Sequence, residues 1–174
     1  MALPAFSSAT PTDMRRSMGR FVTGVAVVST GTSPDDWCGM TISSLTSISL
    51  DPAILMISLT EGSRTTDMVG AAGRFTVSIL SSRQEAVARH FATRGGARYE
   101  SIEYDVGEFG LPMIKDSLVQ AECVVDSAPV VGDHTVFFGR VENLRFREGS
   151  GLVFSSGRFG DFHDFGHDEM PWLF

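Results

Sequence analysis

Hydroxyl side chains dominate the strand-like stretch from Gly39 to Pro52. They recur at nearly every second position, at Thr41, Ser43, Ser47 and Ser49. Side chains two apart in a strand share a face. These four hydroxyls are therefore predicted to line one polar surface, provided that a kink near Ser44-Leu45 preserves the register. Hydroxyls both donate and accept hydrogen bonds, and a strand that carries them gives up core packing. The run favours a ligand-binding face. The alternative is a solvent-exposed sheet face without a ligand, since such faces are often rich in Ser and Thr.

The overall composition is that of a globular chain without a basic face. Of the 174 residues, 43% are hydrophobic and 20% are charged, which indicates one domain large enough to bury a core. The net charge of −7 argues against a nucleic-acid partner. No apolar run reaches the length of a membrane span, and residues 1–12 do not resemble a secretory signal. We therefore expect no membrane association and a cytoplasmic location.

Cysteines and histidines do not form a metal-binding pattern. Cys38 and Cys123 are far apart and form no Cys-x-x-Cys pair, which argues against a disulfide framework, a cysteine-based zinc site and cysteine catalysis. Near the C-terminus, acidic residues and histidines cluster without a fixed ligand spacing, so we predict a solvated tail and no metal site. That cluster comprises Asp161, His163, Asp164, His167, Asp168 and Glu169.

The pattern of turn residues and apolar runs predicts many strands and three short helices. A flexible arm over residues 1–11 precedes a helix that is capped by Thr12 or Asp13 and ends at Gly19. The inward stripe of that helix is predicted to be Met14, Met18 and Phe21. Strands are predicted at residues 22–29, 37–43, 46–50, 53–59, 75–80, 118–128, 135–146 and 152–155.

The other two helices have clear start signals. Ser63 caps a helix over residues 64–72 that Gly73 closes, and a capping box over residues 82–85 opens a helix to about residue 92. Residues 93–112 are Gly-rich and charged, which predicts a mobile loop. Strands without regular βαβ alternation favour a mainly β, antiparallel barrel with peripheral helices.

Three segments together resemble the short-chain flavin reductase family, whose members are the reductase components of two-component flavin monooxygenases. They are residues 21–28 (FVTGVAVV), the stretch 39–52 and the turn Gly132-Asp133-His134. The resemblance runs over about residues 14–165 in the family's order. It implies a split β-barrel of Greek-key type over residues 12–165, a C-terminal tail over 166–174 and a homodimer. It also implies FMN or FAD as flavin and NADH or NADPH as hydride donor.

Carried onto matching positions, the resemblance implies a set of flavin-binding residues. The residues beside the isoalloxazine would be Thr41, Ile42, Ser43, Ser44 and Leu45, and those near the ribityl chain or phosphate would be Ser47 and Ser49. Ser63, Arg64 and Thr65 suit a phosphate for an independent reason, because they begin a predicted helix whose free N–H groups and dipole attract anions. A plain helix cap at Ser63 is the alternative.

The turn Gly132-Asp133-His134 supplies the sharpest single candidate. In the family this turn lies near the nicotinamide side of the flavin, which implies that His134 positions the nicotinamide. A hairpin turn without a functional role is the alternative reading of the residues alone. Phe91 is predicted to lie near the nicotinamide as well. The alternative is a core position, because an apolar residue on a helix face is often buried against the rest of the protein.

The predicted reaction is hydride transfer from reduced nicotinamide to FMN or FAD, with reduced flavin passing to a partner monooxygenase. The cofactors carry this reactivity, which agrees with the absence of a catalytic triad motif. Two other functions remain open from the sequence. One is a flavin-binding electron carrier with tightly bound FMN and no nicotinamide turnover. The other is a split-barrel protein that binds haem or another ligand.

Overall fold

A computed structural model describes residues 5–93, 99–164 and 166. Within them, the α-helices are α1 (Pro11–Met18), α2 (Arg64–Ala72) and α3 (Glu85–Phe91), and a 3-10 turn covers Ser82–Gln84. The first strands are β1 (Thr23–Gly24), β2 (Ala26–Thr30), β3 (Cys38–Ile42), β4 (Thr46–Leu50), β5 (Ala53–Thr60) and β6 (Arg74–Ile79). The later strands are β7 (Tyr104–Val106), β8 (Pro112–Ile114), β9 (Val119–Ser127), β10 (Val130–Val131), β11 (His134–Phe146), β12 (Leu152–Ser155) and β13 (Arg158–Asp161).

The largest sheet follows the order β3-β2-β6-β9-β11-β5-β4, and β10 pairs with β11. Smaller sheets are formed by β1-β12-β13 and by β7-β8, and all pairings are antiparallel. The prediction of a mainly β, antiparallel fold with short helices is therefore confirmed.

The two ends of the large sheet, β3 and β4, follow one another in the chain. Only three residues separate Ile42 from Thr46, so these residues lie at most about 14 Å apart. Six strand spacings in a flat sheet would place the two edge strands about 29 Å apart. The sheet must therefore curl until its edges approach each other. The cleft described below lies along β3, one of these two edge strands.

Two apolar clusters lie on opposite faces of β2. Ala26 and Val28 point into the first, which holds Phe75 and Phe137. Val25 and Val27 point into the second, which lies under α3 and includes Phe91, Leu80, Tyr99 and Leu152. Every residue of β2 is buried, because the two clusters cover both faces of the strand. The single strand predicted over residues 22–29 is divided instead, since Thr23–Gly24 form β1 in another sheet and Val22 is 57% exposed.

Helix α1 differs from its prediction at its start and on its apolar face. It begins at Pro11 with Thr10 as the cap, because the Thr10 hydroxyl oxygen accepts a hydrogen bond from the Asp13 N–H at 3.1 Å. The predicted cap at Thr12 or Asp13 is wrong, and the predicted arm over residues 1–11 runs into the helix. The inward stripe is also wrong, since the residues that the structure describes leave these side chains largely exposed. The exposed fractions are 56% for Met14, 56% for Met18 and 74% for Phe21.

The capping box before α3 lies one residue earlier than predicted. Ser81 is the cap, and its N–H donates to the side-chain oxygen of Gln84 at 2.9 Å. The pair Ser81 and Gln84 has the three-residue spacing of a capping box, whereas Ser82 is already inside the 3-10 turn. Helix α2 begins and ends as predicted, between the Ser63 cap and Gly73 in the left-handed conformation at φ 64°.

The predicted loop over residues 93–112 contains regular structure. β7 pairs with β8 in an antiparallel hairpin, so the prediction of an irregular segment is wrong there. Residues 94–98 of that loop lie outside the described residues. β13, which pairs with β12, has no counterpart among the predicted strands. Of the C-terminal tail over 166–174, only residue 166 is described.

The described residues contain neither a candidate membrane-spanning helix nor a cluster of metal ligands. None of the helices there has both the length and the apolar character needed to cross a membrane. Within the same residues, no three His, Cys, Asp or Glu side chains are arranged to hold a metal ion. The cytoplasmic location stays a prediction.

Candidate active site

A cleft of about 730 Å³ opens where the curled sheet meets α2 and α3. Its walls come from the middle of β3, the turn that joins β5 to α2, and the end of α3. The lining residues are Gly39, Met40, Thr41, Thr60, Glu61, Gly62, Ser63, Arg64, Phe91, Ala92 and Thr93. Four residues predicted from the sequence meet here, namely Thr41, Ser63, Arg64 and Phe91. The volume falls within the usual range for small-molecule sites.

The α3 wall of the cleft is held against β3 by close contacts. The Thr41 hydroxyl donates to the carbonyl of Ala88 at 2.7 Å and so docks the helix on the strand. The Phe91 ring is 2% exposed, and the Tyr99 ring lies 5.1 Å from it between centroids. A Cβ built on Gly39 would lie 2.9 Å from the Phe91 ring. Phe91 is thus both a core residue and part of the cleft lining.

The opposite wall is the start of α2. The Ser63 hydroxyl accepts a hydrogen bond from the Thr66 N–H at 3.1 Å, so the helix-cap role of Ser63 is present. The first N–H groups of a helix have no partner within it, and here they adjoin the cleft. Arg64 lines the cleft, and its Nη2 donates to the carbonyl of Asp36 at 3.1 Å. This wall combines backbone donors with a guanidinium, which suits an anionic group.

Thr65 is turned away from the cleft. Its side chain is 3% exposed and hydrogen-bonds the Cys38 thiol. Burial raises the pKa of that thiol, while the Thr65 hydrogen bond partly offsets the rise. Only the backbone of Thr65 is therefore placed to meet a ligand at the start of α2.

His134 lies beside the cleft rather than in its lining. As the first residue of β11 it pairs with Thr60, and its Nε2 is 3.3 Å from the Thr60 hydroxyl. Its Nδ1 lies 2.7 Å from the Asp133 carboxylate, and this hydrogen bond holds the pKa of Asp133 below its usual range. The Glu61 N–H donates to the Asp133 carbonyl at 3.0 Å. The Gly132-Asp133-His134 turn is thereby fixed to the rim.

The hydroxyl run does not present one continuous polar face. A bulge in β4 places Ser47 opposite Leu55 and Ser49 opposite Ile54. Because Ile54 and Leu55 are consecutive in β5, Ser47 and Ser49 point to opposite faces of the sheet. The expectation that the run keeps its alternation is wrong, since the extra residue of the bulge reverses it.

Ile42 ends β3, and the next three residues join it to β4. These four residues have different structural roles. Ile42 is buried in the first apolar cluster, and Leu45 packs against that cluster. The Ser44 hydroxyl donates to the Ser58 carbonyl at 2.9 Å and accepts from the Ser58 N–H at 3.1 Å, so it completes the pairing of β5. Ser43 is exposed. The backbone of this link, together with Ser43, is what remains available to a ligand.

Several lining residues were not among the predicted site residues. Thr60 and Glu61 reach the cleft through the register of β5 with β11, and the Thr135 hydroxyl donates to the Glu61 carboxylate. Ala92 and Thr93 line it just beyond the end of α3. The only sequence signal for Glu61 was its position before Gly62 and Ser63, at a turn that leads into a helix cap.

Relatives of known activity resemble most of this chain. An NADH-dependent flavin reductase of Rhodococcus is 36% identical over 167 residues, covering 95% of this chain and 93% of the relative. An FMN reductase (NADH) of Agrobacterium fabrum is 36% identical over 148 residues, covering 85% of this chain and 84% of the relative. The reductase subunit HsaB of a flavin-dependent monooxygenase from Mycobacterium tuberculosis is 34% identical over 134 residues, covering 77% of this chain and 71% of that subunit.

Solved structures agree with the sequence matches. An NADH:FAD oxidoreductase of Streptomyces globisporus, in complex with NAD and FAD fragments, superposes with a TM-score of 0.86 at 34% identity. The match covers 93% of this chain and 100% of that one. The profile of the flavin reductase like domain matches residues 18–163. By this match and by these relatives, the chain belongs to the flavin reductase like domain family.

Proposed function

We propose that this protein is an NADH-dependent flavin reductase that supplies reduced flavin to a partner flavin-dependent monooxygenase. The observation that carries the proposal is the cleft, found here in a member of the flavin reductase like domain family. It brings together β3 with its hydroxyl side chain, the start of α2, which suits an anion, and a rim that carries a histidine. The relatives named above use NADH, and one is the reductase subunit of a monooxygenase.

The residues of the cleft fit a flavin. Arg64 and the N–H groups at the start of α2 would hold a phosphate, with Ser63 shaping that end of the helix. Thr41, Ser43 and the backbone of residues 42–45 would contact the polar edge of the ring system. We assign the ribityl chain to Ser49, because the bulge turns Ser47 toward the other face of β4.

Flavin bound in this cleft would supply the hydride-accepting chemistry, so the chain needs to contribute neither a nucleophile nor a metal site. The protein binds and orients the two ring systems and limits access of water. Asp133 accepts a hydrogen bond from Nδ1–H of His134 and so leaves Nε2 facing Thr60 at the rim. From there His134 would orient the carboxamide of the nicotinamide. Phe91 supplies an apolar wall held rigid by Tyr99.

We further propose a split barrel that functions as a homodimer. The curled sheet, whose edge strands are joined by three residues, supports the barrel. Every residue of β2 is buried within one chain, so the support for a dimer comes from the exposed face of α1. Met14, Met18 and Phe21 form an exposed apolar stripe on and just after that helix, which a second copy related by a two-fold axis would cover.

Light scattering at micromolar concentration tests the dimer. We expect twice the chain mass for the wild type and for Ser17→Glu, a control on the same exposed helix, and a monomer for Met18→Glu. A monomeric wild type that retains reductase activity would overturn the dimer and leave the reductase in place.

The proposed reaction is tested by steady-state oxidation of NADH and NADPH with FMN, FAD and riboflavin as acceptors. We expect NADH oxidation that requires added flavin. Tight FMN without turnover would favour an electron carrier instead. A purified protein that neither carries nor takes up a flavin spectrum would favour a different ligand, such as haem.

A further inference from the structure

We infer that the turn between β2 and β3 positions Arg64 and so sets the preference of this protein for phosphorylated flavins. Thr32 and Asp36 are the positioning residues, and neither lines the described cleft. The inference rests on the proposed function, in which Arg64 meets the flavin phosphate. It adds a structural reason why that guanidinium stands in place before a flavin arrives.

The contact that carries the inference joins two different elements. Arg64 is the first residue of α2, and its Nη2 donates to the backbone carbonyl of Asp36 at 3.1 Å. A long exposed side chain without such a tether would have to be ordered when the phosphate binds, at a cost in entropy. With one nitrogen held by a carbonyl, the remaining donors of the planar guanidinium keep a defined direction.

The carbonyl that accepts from Arg64 belongs to a turn held by the side chain of the same residue. The Asp36 carboxylate accepts from the Thr32 N–H at 2.8 Å, from the Thr32 hydroxyl at 2.5 Å and from the Ser33 N–H at 2.9 Å. The Asp36 N–H donates to the Ser33 carbonyl at 3.1 Å. These bonds close the turn on itself. They also hold the pKa of Asp36 below its usual range, with the Thr32 hydroxyl as the largest cause and Arg64 as a smaller one.

The entry to the turn is equally constrained. Gly31 has a φ of 153°, and a Cβ built there would lie 2.7 Å from an Asp36 carboxylate oxygen and 2.7 Å from the Trp37 ring. The ladder between β2 and β3 then begins with Thr30 opposite Cys38. Asp36 is therefore held between a turn that it closes and a strand that is paired, which fixes the direction of its carbonyl.

The experiment compares the affinity of the flavin-free protein for FMN and riboflavin, two ligands that differ by the phosphate alone. Flavin fluorescence titration gives both dissociation constants for the wild type, Thr32→Val, Asp36→Asn and Arg64→Ala. Thr32→Ser retains the hydroxyl, and Ser33→Ala retains the backbone donor, so both serve as matched controls. Circular dichroism and urea unfolding check that each variant is folded.

We expect Arg64→Ala to lower the preference for FMN over riboflavin by about tenfold, as loss of a charge-assisted bond implies. Thr32→Val and Asp36→Asn should lower it by about threefold, on the scale of one weakened hydrogen bond. The two controls should keep the wild-type preference. In the Arg64→Ala background, Thr32→Val should have no further effect, because the residue that it positions is gone.

The outcomes separate this inference from the function on which it rests. If Arg64→Ala retains the full preference for FMN, the flavin phosphate lies elsewhere, and the phosphate assignment fails together with the inference. If Arg64→Ala loses the preference while Thr32→Val and Asp36→Asn keep it, the assignment stands and the positioning role is overturned. If Asp36→Asn does not fold, Thr32→Val alone decides.

Discussion

Gly39 and the hydroxyl of Tyr99 approach so closely that no side chain fits between them. A Cβ on Gly39 would lie 2.6 Å from the Tyr99 oxygen, which itself donates to the Ser29 hydroxyl at 2.5 Å. Tyr99 is 7% exposed, and burial raises its pKa far above the usual range, so it stays a neutral donor. β3 must therefore carry a glycine where it passes beneath the aromatic wall of the cleft.

Gly39→Ala should destabilise the protein by about 1–3 kcal/mol, because the added methyl group displaces Tyr99 or Phe91 from a packed cluster. Urea unfolding of the flavin-free protein measures this. Gly70→Ala is the matched control. Gly70 lies inside α2 with nothing within 4 Å of an added Cβ, so this change should stabilise the helix by about 0.5–1 kcal/mol. Equal free energies of unfolding for the two variants would contradict the close approach of Gly39 to Tyr99 and Phe91.

Ser44→Ala should lower the free energy of unfolding by about 1–3 kcal/mol. The change removes both hydrogen bonds to Ser58 and leaves a partly buried N–H and carbonyl of β5 without that partner. Ser43→Ala, at the exposed neighbouring position, should change stability by less than about 0.5 kcal/mol. Denaturant titration of both proteins without flavin makes the comparison, and a Ser44→Ala protein as stable as Ser43→Ala would refute the structural role.

His134→Ala should raise the KM for NADH or slow flavin reduction by up to about tenfold, which corresponds to the loss of one hydrogen bond. The dissociation constant of the flavin should change little, because His134 does not line the cleft itself. Stopped-flow reduction of pre-bound flavin at several NADH concentrations separates binding from the hydride step.

Asp133→Asn is the companion variant for His134. Its side-chain oxygen still accepts from Nδ1–H, so we expect a smaller change than for His134→Ala. The assignment of His134 to the nicotinamide side is wrong if His134→Ala reduces flavin at the wild-type rate at every NADH concentration while flavin affinity collapses.

The turn closed by Asp36 should make stability depend on pH in the acid range. The pKa of Asp36 is below its ordinary value of 3.8 in the folded protein, so the folded state binds fewer protons than the unfolded chain. The stabilising contribution is thus fully present above the unfolded pKa and is lost as the pH falls through the lower folded value. Unfolding free energies measured from about pH 5 to about pH 2.5 should fall less steeply for Asp36→Asn than for the wild type.

Asp35→Asn is the control for that titration. In the part of the chain that the structure describes, the carboxylate of Asp35 makes no hydrogen bond such as those that reach Asp36. This variant should therefore follow the wild-type curve. A wild type and Asp36→Asn with parallel curves would show that the turn does not depend on the ionised carboxylate.

Local signals in the sequence determined much of the fold. The bounds of α2 follow from the Ser63 cap and from Gly73, and those of β4 from a strand that meets the break at Asp51-Pro52. The family could also be identified from short segments in a fixed order, and the matched domain confirms it. These features depend on residues close together in the chain, where spacing and residue type decide the structure.

Relations between distant residues were decided by the tertiary structure alone. Ser47 and Ser49 alternate in the sequence, but one bulged residue in the pairing with β5 turns them to opposite faces. The helical stripe around Met14 predicts a buried face, yet burial requires a partner surface, and the described residues leave this stripe exposed. The contact of Arg64 with Asp36 and that of Gly39 with Tyr99 depend on how the sheet curls. Sequence periodicity specifies a local conformation, whereas packing selects which residues meet.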